Sequence, residues 1–325
     1  MKSLSKRKLT VGVIGCGGIG QVHLSNYQFN GIKITGVADS NKAAARRMGE
    51  KYECVWYTNY KEMLMNEKPD AVSVCTPPAF HKAIVLEALH QKIHVLCEKP
   101  LAVTVKEAKM MVDTAKKNKR ILMTAFCHRY QWQVAQAKKW IRERKVGDIV
   151  LYHNRFAGYF SGVEKTWFVQ KKLSGGGMFI DTLIHSIDLF RYLVGEVKDV
   201  KAEYQTFHPK IKVEDTGILL LQSKSGALGT LEGSWQTPVV ENVIEIIGTK
   251  GAIYINYNNN HLKYRFGLQK DWETVTSPDI RKNRFYLEIE NFLKTILGKQ
   301  KLLVTGEDGL KAMEILDKAY ASSGK

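Results

Sequence analysis

The run "VGVIGCGGIGQVH", Val11 to His23, decides how the first part of the chain folds. A short apolar, strand-like stretch leads straight into Gly15-x-Gly17-x-x-Gly20, and sequence of helical period follows. Each glycine has its own task at such a junction. The first permits a tight turn, the second lets backbone approach a pyrophosphate, and the third lets helix and strand pack closely. The amides opening the helix, at Gly18, Ile19 and Gly20, then point toward the phosphates. Glycines at this spacing also occur in ordinary turns, so the surroundings carry the reading. Asp39 closes the next strand-like run, "GVADS", 19 residues after Gly20. A carboxylate there accepts hydrogen bonds from the hydroxyls of an adenosine ribose.

Further along, the first 125 residues alternate. "LTVGVI", "IKITGVA", "DAVSVC", "IHVLC" and "ILMTAF" are short apolar runs, separated mostly by helical-period stretches such as "FHKAIVLEALHQ" and "VKEAKMMVDTAKKN". Strands apolar on both faces and separated by helices imply a parallel sheet covered on both sides, a doubly wound α/β domain of the Rossmann type. We expect this domain over residues 1–126 and a second over 127–325. The second half carries a helical stretch near Val134–Arg144, then strand-like "DIVLYHNRFAG". An apolar helix comes next, followed by strands joined by short turns from Asp199 to Ser277, and two closing helices near 279–297 and 307–321. Hairpins in series predict a large, mainly antiparallel, open-faced sheet, so the second domain is α+β.

Composition narrows the class. At 325 residues, 44% hydrophobic and 25% charged, the chain can build a large globular core. It has no apolar run long enough for a membrane helix, and "MKSLSKRKLTVGVIG" shows no secretory signal. A cytoplasmic location is expected, which also suits five cysteines without a CxxC pair. No Cys/His cluster at metal spacing is visible, so no metal is expected. Net charge is +17, yet the basic residues are dispersed over helices, apart from Lys2, Lys6, Arg7 and Lys8, and no nucleic-acid motif accompanies them.

The carboxyl ends of parallel strands face the ligand crevice. The loops "VCTPPAFH" (Thr76, Pro77, His81) and "LCEKPLA" (Glu98, Lys99) are therefore expected to line the cofactor with Gly15, Gly17, Gly18, Ile19, Gly20 and Asp39. Asp39 favours NAD over NADP, because a carboxylate repels a 2′-phosphate; Arg46 and Arg47 nearby leave NADP open. In the second half, "SGGGMFIDTLIHSIDLFRYL" from Ser174 reads as a helix apolar on nearly every side. Asp181 and His185 sit in it one turn apart, on one face. Such a pair is either a satisfied core histidine or a general acid/base with its orienting carboxylate.

Taken in order and spacing, "GVIGCGGIGQVH", "ADS", "CTPP", "EKPLA" and "SGGGMFIDTLIHSIDLFRYLVGE" resemble the Gfo/Idh/MocA oxidoreductase family over essentially the whole chain. The resemblance implies that Lys99, Asp181 and His185 form the catalytic set, with lysine or histidine taking the proton. It also implies hydride transfer between NAD(P) and a secondary alcohol or ketone of a sugar, inositol or related polyol. Substrate contacts are expected from Arg129, Tyr130, Asn154, Arg155, Tyr159 and Trp167, although Phe168 stands where many relatives carry an arginine after the tryptophan. A homodimer or homotetramer through the open sheet face is implied too. A sugar-nucleotide or amino-sugar oxidoreductase is a second enzyme reading. A non-catalytic NAD(P)-sensing regulator is a reading of another class, against which the joint presence of Lys99, Asp181 and His185 counts.

Overall fold

The computed structural model describes residues 9–268, 270–276 and 283–323, so the basic residues before Leu9 and the expected helix start at 279–282 lie outside them. The chain forms two compact units. The first contains a six-stranded sheet in the order β3-β2-β1-β4-β5-β6. Its strands are β1 (Thr10–Ile14), β2 (Lys33–Ala38), β3 (Val55–Tyr57), β4 (Ala71–Val74), β5 (His94–Cys97) and β6 (Leu122–Thr124). All neighbours pair in parallel. The helices α1 (Gly18–Phe29), α2 (Lys42–Lys51), α3 (Tyr60–Glu67), α4 (His81–His90) and α5 (Val105–Asn118) provide the crossovers. Val11, Val13, Val72, Val74, Val95 and Leu96 are fully buried, as strands covered on both faces require. β3 has no clear signature, because three residues at a sheet edge are too few to show a period. The strand order reverses between β1 and β4, and the glycine loop after β1 lies at that switch point.

A division at residue 126 alone is too simple. Residues 285–307 return to the first unit, carrying most of the helix α9 that is numbered with its neighbours below. Ile289, Phe292 and Leu293 are buried, and Tyr286 packs edge-on against Phe29 with ring centroids 5.4 Å apart. Nothing in the local pattern of an amphipathic helix says which domain its apolar face will join.

The second unit is built on an eight-stranded sheet ordered β14-β13-β12-β11-β7-β10-β9-β8. These strands are β7 (Ile149–Tyr159), β8 (Val197–Gln205), β9 (Thr216–Ser223), β10 (Leu228–Ser234), β11 (Gln236–Gly248), β12 (Gly251–Asn256), β13 (His261–Phe266) and β14 (Glu273–Thr276). Two runs of hairpins appear as expected, but β7 separates them, pairing in parallel with β10 and antiparallel with β11. Its helices are α6 (Trp132–Arg142), a short α7 (Lys171–Ser174), α8 (Ile184–Leu193) and α10 (Gly306–Ser322); α9 spans Arg284–Ile296. α8 covers one face of the sheet, where Phe190 meets Tyr152 of β7 edge-on at 5.4 Å. The opposite face carries Arg155, Leu220, Leu228 and Glu232.

Candidate active site

The glycine loop of the first unit has the shape a dinucleotide needs. Gly15 holds φ +98°, and a Cβ there would lie 2.6 Å from the Cys75 carbonyl. A Cβ on Gly20 would lie 1.9 Å from the Gly15 oxygen, so only glycine brings helix and turn this close. Gly17 and Gly18 face open space, and α1 begins with no side-chain cap and no acidic residue in its first turn. Its leading amides are thus uncapped by the protein and are suited to an anion. Asp39 is fixed beside them: Oδ2 accepts the Cys16 amide at 2.7 Å and Oδ1 the Asn41 amide at 2.8 Å. The remaining lone pairs of that carboxylate suit ribose hydroxyls. Arg46 is held by Glu50 at 2.7 Å on the exposed side of α2. This set fits NAD.

The two other loops of this unit are tied together from inside. His81 is fully buried, with Nε2 2.8 Å from the Thr76 carbonyl and Nδ1 3.0 Å from that of Pro100. Burial lowers its pKa, against the pull of those carbonyls. Both ring nitrogens face backbone carbonyls, to one of which the neutral ring donates, so His81 ties the two loops together. Thr76 Oγ1 is buried with no hydrogen-bond partner among the described residues, while Pro77 stands beside it half-buried. Glu98 is buried too: Oε1 is 3.0 Å from His23 Nε2, and Oε2 accepts the Lys99 amide at 3.1 Å. The Lys99–Pro100 peptide is cis.

In the second unit, the apolar helix expected from Ser174 opens as a glycine turn and a π-helical turn (Phe179–Leu183) before α8. Asp181 lies on the wide turn and His185 on the first turn of α8, both half-buried. Wide turns of this kind occur mostly as single bulges at functional sites. Thr182 Oγ1 donates to Asp181 Oδ2 at 3.3 Å and in turn accepts from Trp235 Nε1 at 3.1 Å. The glycines before the turn are packed closely within the unit. A Cβ on Gly177 would lie 2.0 Å from the Glu214 carbonyl oxygen. Glu214 Oε1 accepts the amides of Gly177 at 2.9 Å and Phe179 at 3.2 Å and the Tyr320 hydroxyl at 2.5 Å. Burial raises the pKa of this carboxyl, while those donors favour its anion at the helix start.

His185 is surrounded by rings. His128 lies 4.4 Å away centroid to centroid and Phe126 lies 5.9 Å away, while Tyr257 and Phe156 pack on His128. Cys127, His128 and His185 also bring ligand-type atoms within 4.8 Å of one another, a grouping that the 56 residues between the two histidines conceal in the sequence. His128 lies in the short turn Cys127–Tyr130, four residues past the end of β6.

The expected substrate residues do not share one environment. Asn154 is buried on the same face of β7 as Phe156, donating Nδ2 to the Val243 carbonyl at 2.9 Å. Arg155 points from the opposite face into Glu232 and Glu241, at 2.8 and 2.7 Å, because a strand turns successive side chains to opposite sides. Arg129 is a core residue: it grips Asp188 through two bonds of 2.6 and 2.8 Å and reaches Asp308 at 3.0 Å. Those carboxylates keep its guanidinium protonated despite burial. Tyr130 is buried, Tyr159 is exposed, and Trp167 stacks at 4.0 Å on Phe168. Arg129 and Arg155 are thus already engaged within the protein, Tyr130 shares the short turn of His128, and Asn154 shares its face of β7 with Phe156, which packs on His128.

Comparison with known proteins agrees with both halves. Residues 9–126 match the family "Oxidoreductase family, NAD-binding Rossmann fold", and residues 134–254 match the GFO/IDH/MocA C-terminal domain. The chain belongs to the Gfo/Idh/MocA family of NAD-binding oxidoreductases. It is 29% identical to D-glucoside 3-dehydrogenase of Escherichia coli, over 99% of this chain and 98% of that protein. It is 27% identical to myo-inositol 2-dehydrogenase of Thermotoga maritima, over 94% and 93% of the two chains. A solved levoglucosan dehydrogenase, in complex with NADH and levoglucosan, superposes with a TM-score of 0.92 at 25% identity, covering 98% of each chain. No helix among the described residues is long and apolar enough to cross a membrane.

Proposed function

We propose that this chain is an NAD-dependent dehydrogenase or reductase of a secondary alcohol on a sugar, inositol or related cyclic polyol. The observation that carries the reading is that Asp181 and His185 stand half-buried on the wide turn and on the first turn of α8, in a chain that matches a glucoside and an inositol dehydrogenase over nearly its whole length. Oxidising such an alcohol requires a hydride to leave carbon and a proton to leave oxygen. NAD⁺, when bound, takes the hydride. The chain's own residues then have to manage the proton. In this reading His185 or Lys99 accepts the hydroxyl proton, and Asp181 holds the imidazole in one tautomer and stabilises its cation. The Lys99 ammonium stabilises the developing alkoxide when His185 takes the proton. The ring cluster of Phe126, His128, Phe156 and Tyr257 keeps water from crowding the imidazole. In this reading Asn154 offers a substrate hydroxyl its buried Oδ1, which has no hydrogen-bond partner among the described residues.

The assembly in this reading is a homodimer or homotetramer built through the open sheet face, where Leu220 and Leu228 stand about half exposed. Light scattering at micromolar concentration tests this, and a strictly monomeric mass refutes it. Five free cysteines, four of them buried, favour the cytoplasm. The deciding experiment for activity follows NADH formation from NAD⁺ with a panel of myo-inositol, levoglucosan, alkyl glucosides, free aldoses and sugar nucleotides. Turnover on a cyclic polyol or sugar supports the proposal. NADH binding without turnover on any member, alongside an unchanged response in Lys99→Met and His185→Ala, favours a non-catalytic sensor.

A further inference from the structure

A chain of buried polar groups runs through the first unit from the far end of α1 to the Glu98–Lys99 turn. Tyr27 and His23 lie one turn apart on α1, both 0% exposed and turned toward the sheet. The Tyr27 hydroxyl is 2.8 Å from Ser73 Oγ on β4, and Ser73 Oγ is 2.9 Å from His23 Nδ1. His23 Nε2 is 3.0 Å from Glu98 Oε1, and Glu98 Oε2 accepts the Lys99 amide at 3.1 Å. Ser73 is itself fully buried, in the interior strand beside β5.

The donors in this chain can be ordered. A carboxylate only accepts, so His23 carries its proton on Nε2 and donates it to Glu98. In the neutral ring Nδ1 is then an acceptor, which takes the Ser73 hydroxyl proton, and Ser73 Oγ accepts from Tyr27. With the neutral ring this ordering gives every link a donor and an acceptor. A buried serine on an otherwise apolar strand and a buried histidine on a helix face are costly unless each has its partners. Core packing of α1 on β4 alone would be served by apolar residues.

We infer that His23 is a positioning residue for Lys99. It fixes the Glu98 carboxylate, which holds the Lys99 main chain and so sets where the lysine side chain begins. Because His23 rides on the helix that opens with the dinucleotide loop, the same contact ties the lysine turn to the element that meets the cofactor. The inference rests on the proposed catalytic role of Lys99.

Two measurements on the full chain test it, the exchange with NADH bound and the turnover with NAD⁺ as the oxidant. The first is amide hydrogen exchange of the peptide containing Lys99. The second is turnover on the best member of the substrate panel. His23→Asn places its amide where Nδ1 stood and cannot reach Glu98; His23→Gln places a donor where Nε2 stood. In His23→Asn the Lys99 amide should exchange about tenfold faster, the size of one lost hydrogen bond. Its kcat should fall about tenfold to a hundredfold with KM for NAD little changed, since small misplacements at a reacting group carry such costs. His23→Gln should recover most of both. Ser73→Ala should loosen Lys99 more weakly through the same route. Unchanged exchange at Lys99 in His23→Asn overturns the inference. So does faster exchange spread equally over β1 and β4, which marks a merely structural role. Wild-type turnover in Lys99→Met overturns instead the catalytic reading of Lys99, whatever the exchange data show.

Discussion

Asp39→Ala is the substitution whose effect on the cofactor can be worked out most fully. The carboxylate carries two loads apart from the ribose contact proposed for it: it accepts the Cys16 amide at 2.7 Å and the Asn41 amide at 2.8 Å. Hydrogen bonds to a charged group are worth about 1.5–3 kcal/mol each. After truncation the exposed Asn41 amide can turn to water, but the part-buried Cys16 amide of the glycine loop loses its acceptor. One such loss weakens binding by about tenfold to a hundredfold at 1.4 kcal/mol per decade, before any ribose contact is counted. This loop penalty falls on NADH and NADPH alike, whereas relief of repulsion helps only NADPH. The variant should therefore bind NADH about tenfold to a hundredfold more weakly, with a narrowed preference and little absolute gain for NADPH. Asp39→Asn should lie between, since its amide group faces one of the two donors. Fluorescence titration with both reduced cofactors reads all three proteins. Wild-type protein binding NADPH as tightly as NADH would refute the role of Asp39 in selectivity. An NADH affinity in Asp39→Ala within twofold of wild type would refute the account of the loop.

Three other outcomes are expected. His185→Ala should lower kcat by about 10² to 10⁴ while NADH affinity holds, because a general base is lost; near-normal turnover with a lowered Tm would return His185 to a core role. Gly177→Ala should force the start of the Asp181 helix away from the Glu214 carbonyl, 2.0 Å from the new methyl, at a stability cost of about 1–3 kcal/mol. An unchanged Tm there would show that the turn yields freely. His94 has its pKa pushed down from 6.5 to about 4 by burial and then by Arg120, and its neutral ring accepts the Ile121 amide. A depressed pKa contributes stability that is present above 6.5 and lost as pH falls toward 4. The Tm of His94→Asn should accordingly vary less with pH across that window, and an identical slope would refute the assignment.

What could be read beforehand follows from how local each signal is. The glycine loop, Asp39 and the alternating strands and helices are written within short windows, and the parallel sheet follows from them. The position of β7 was hidden, because pairing between strands 70 to 90 residues apart leaves no mark in either strand. α9 shows an apolar face but not its destination. In the candidate site, Asp181 and His185 announce themselves by spacing, whereas His128 and Cys127 reach the ring cluster only through the tertiary fold. Arg129 and Arg155 illustrate the limit from the other side. A charged residue beside a strand reads as unpaired until its carboxylate partners, Asp188 with Asp308 and Glu232 with Glu241, are known.

The return of residues 285–307 to the first unit also bears on how the chain is made. A ribosome adding about 5–20 residues per second releases α1 to β6 roughly 10 to 40 s before α9. During that interval the surface that will receive Phe292 and Tyr286 is unpaired, including Phe29, which stays 68% exposed even in the finished fold. Synthesis therefore has to carry an incomplete nucleotide-binding domain through most of its course. A fragment ending near residue 126 should aggregate or need a chaperone, and one that also supplies 285–307 in trans should recover solubility.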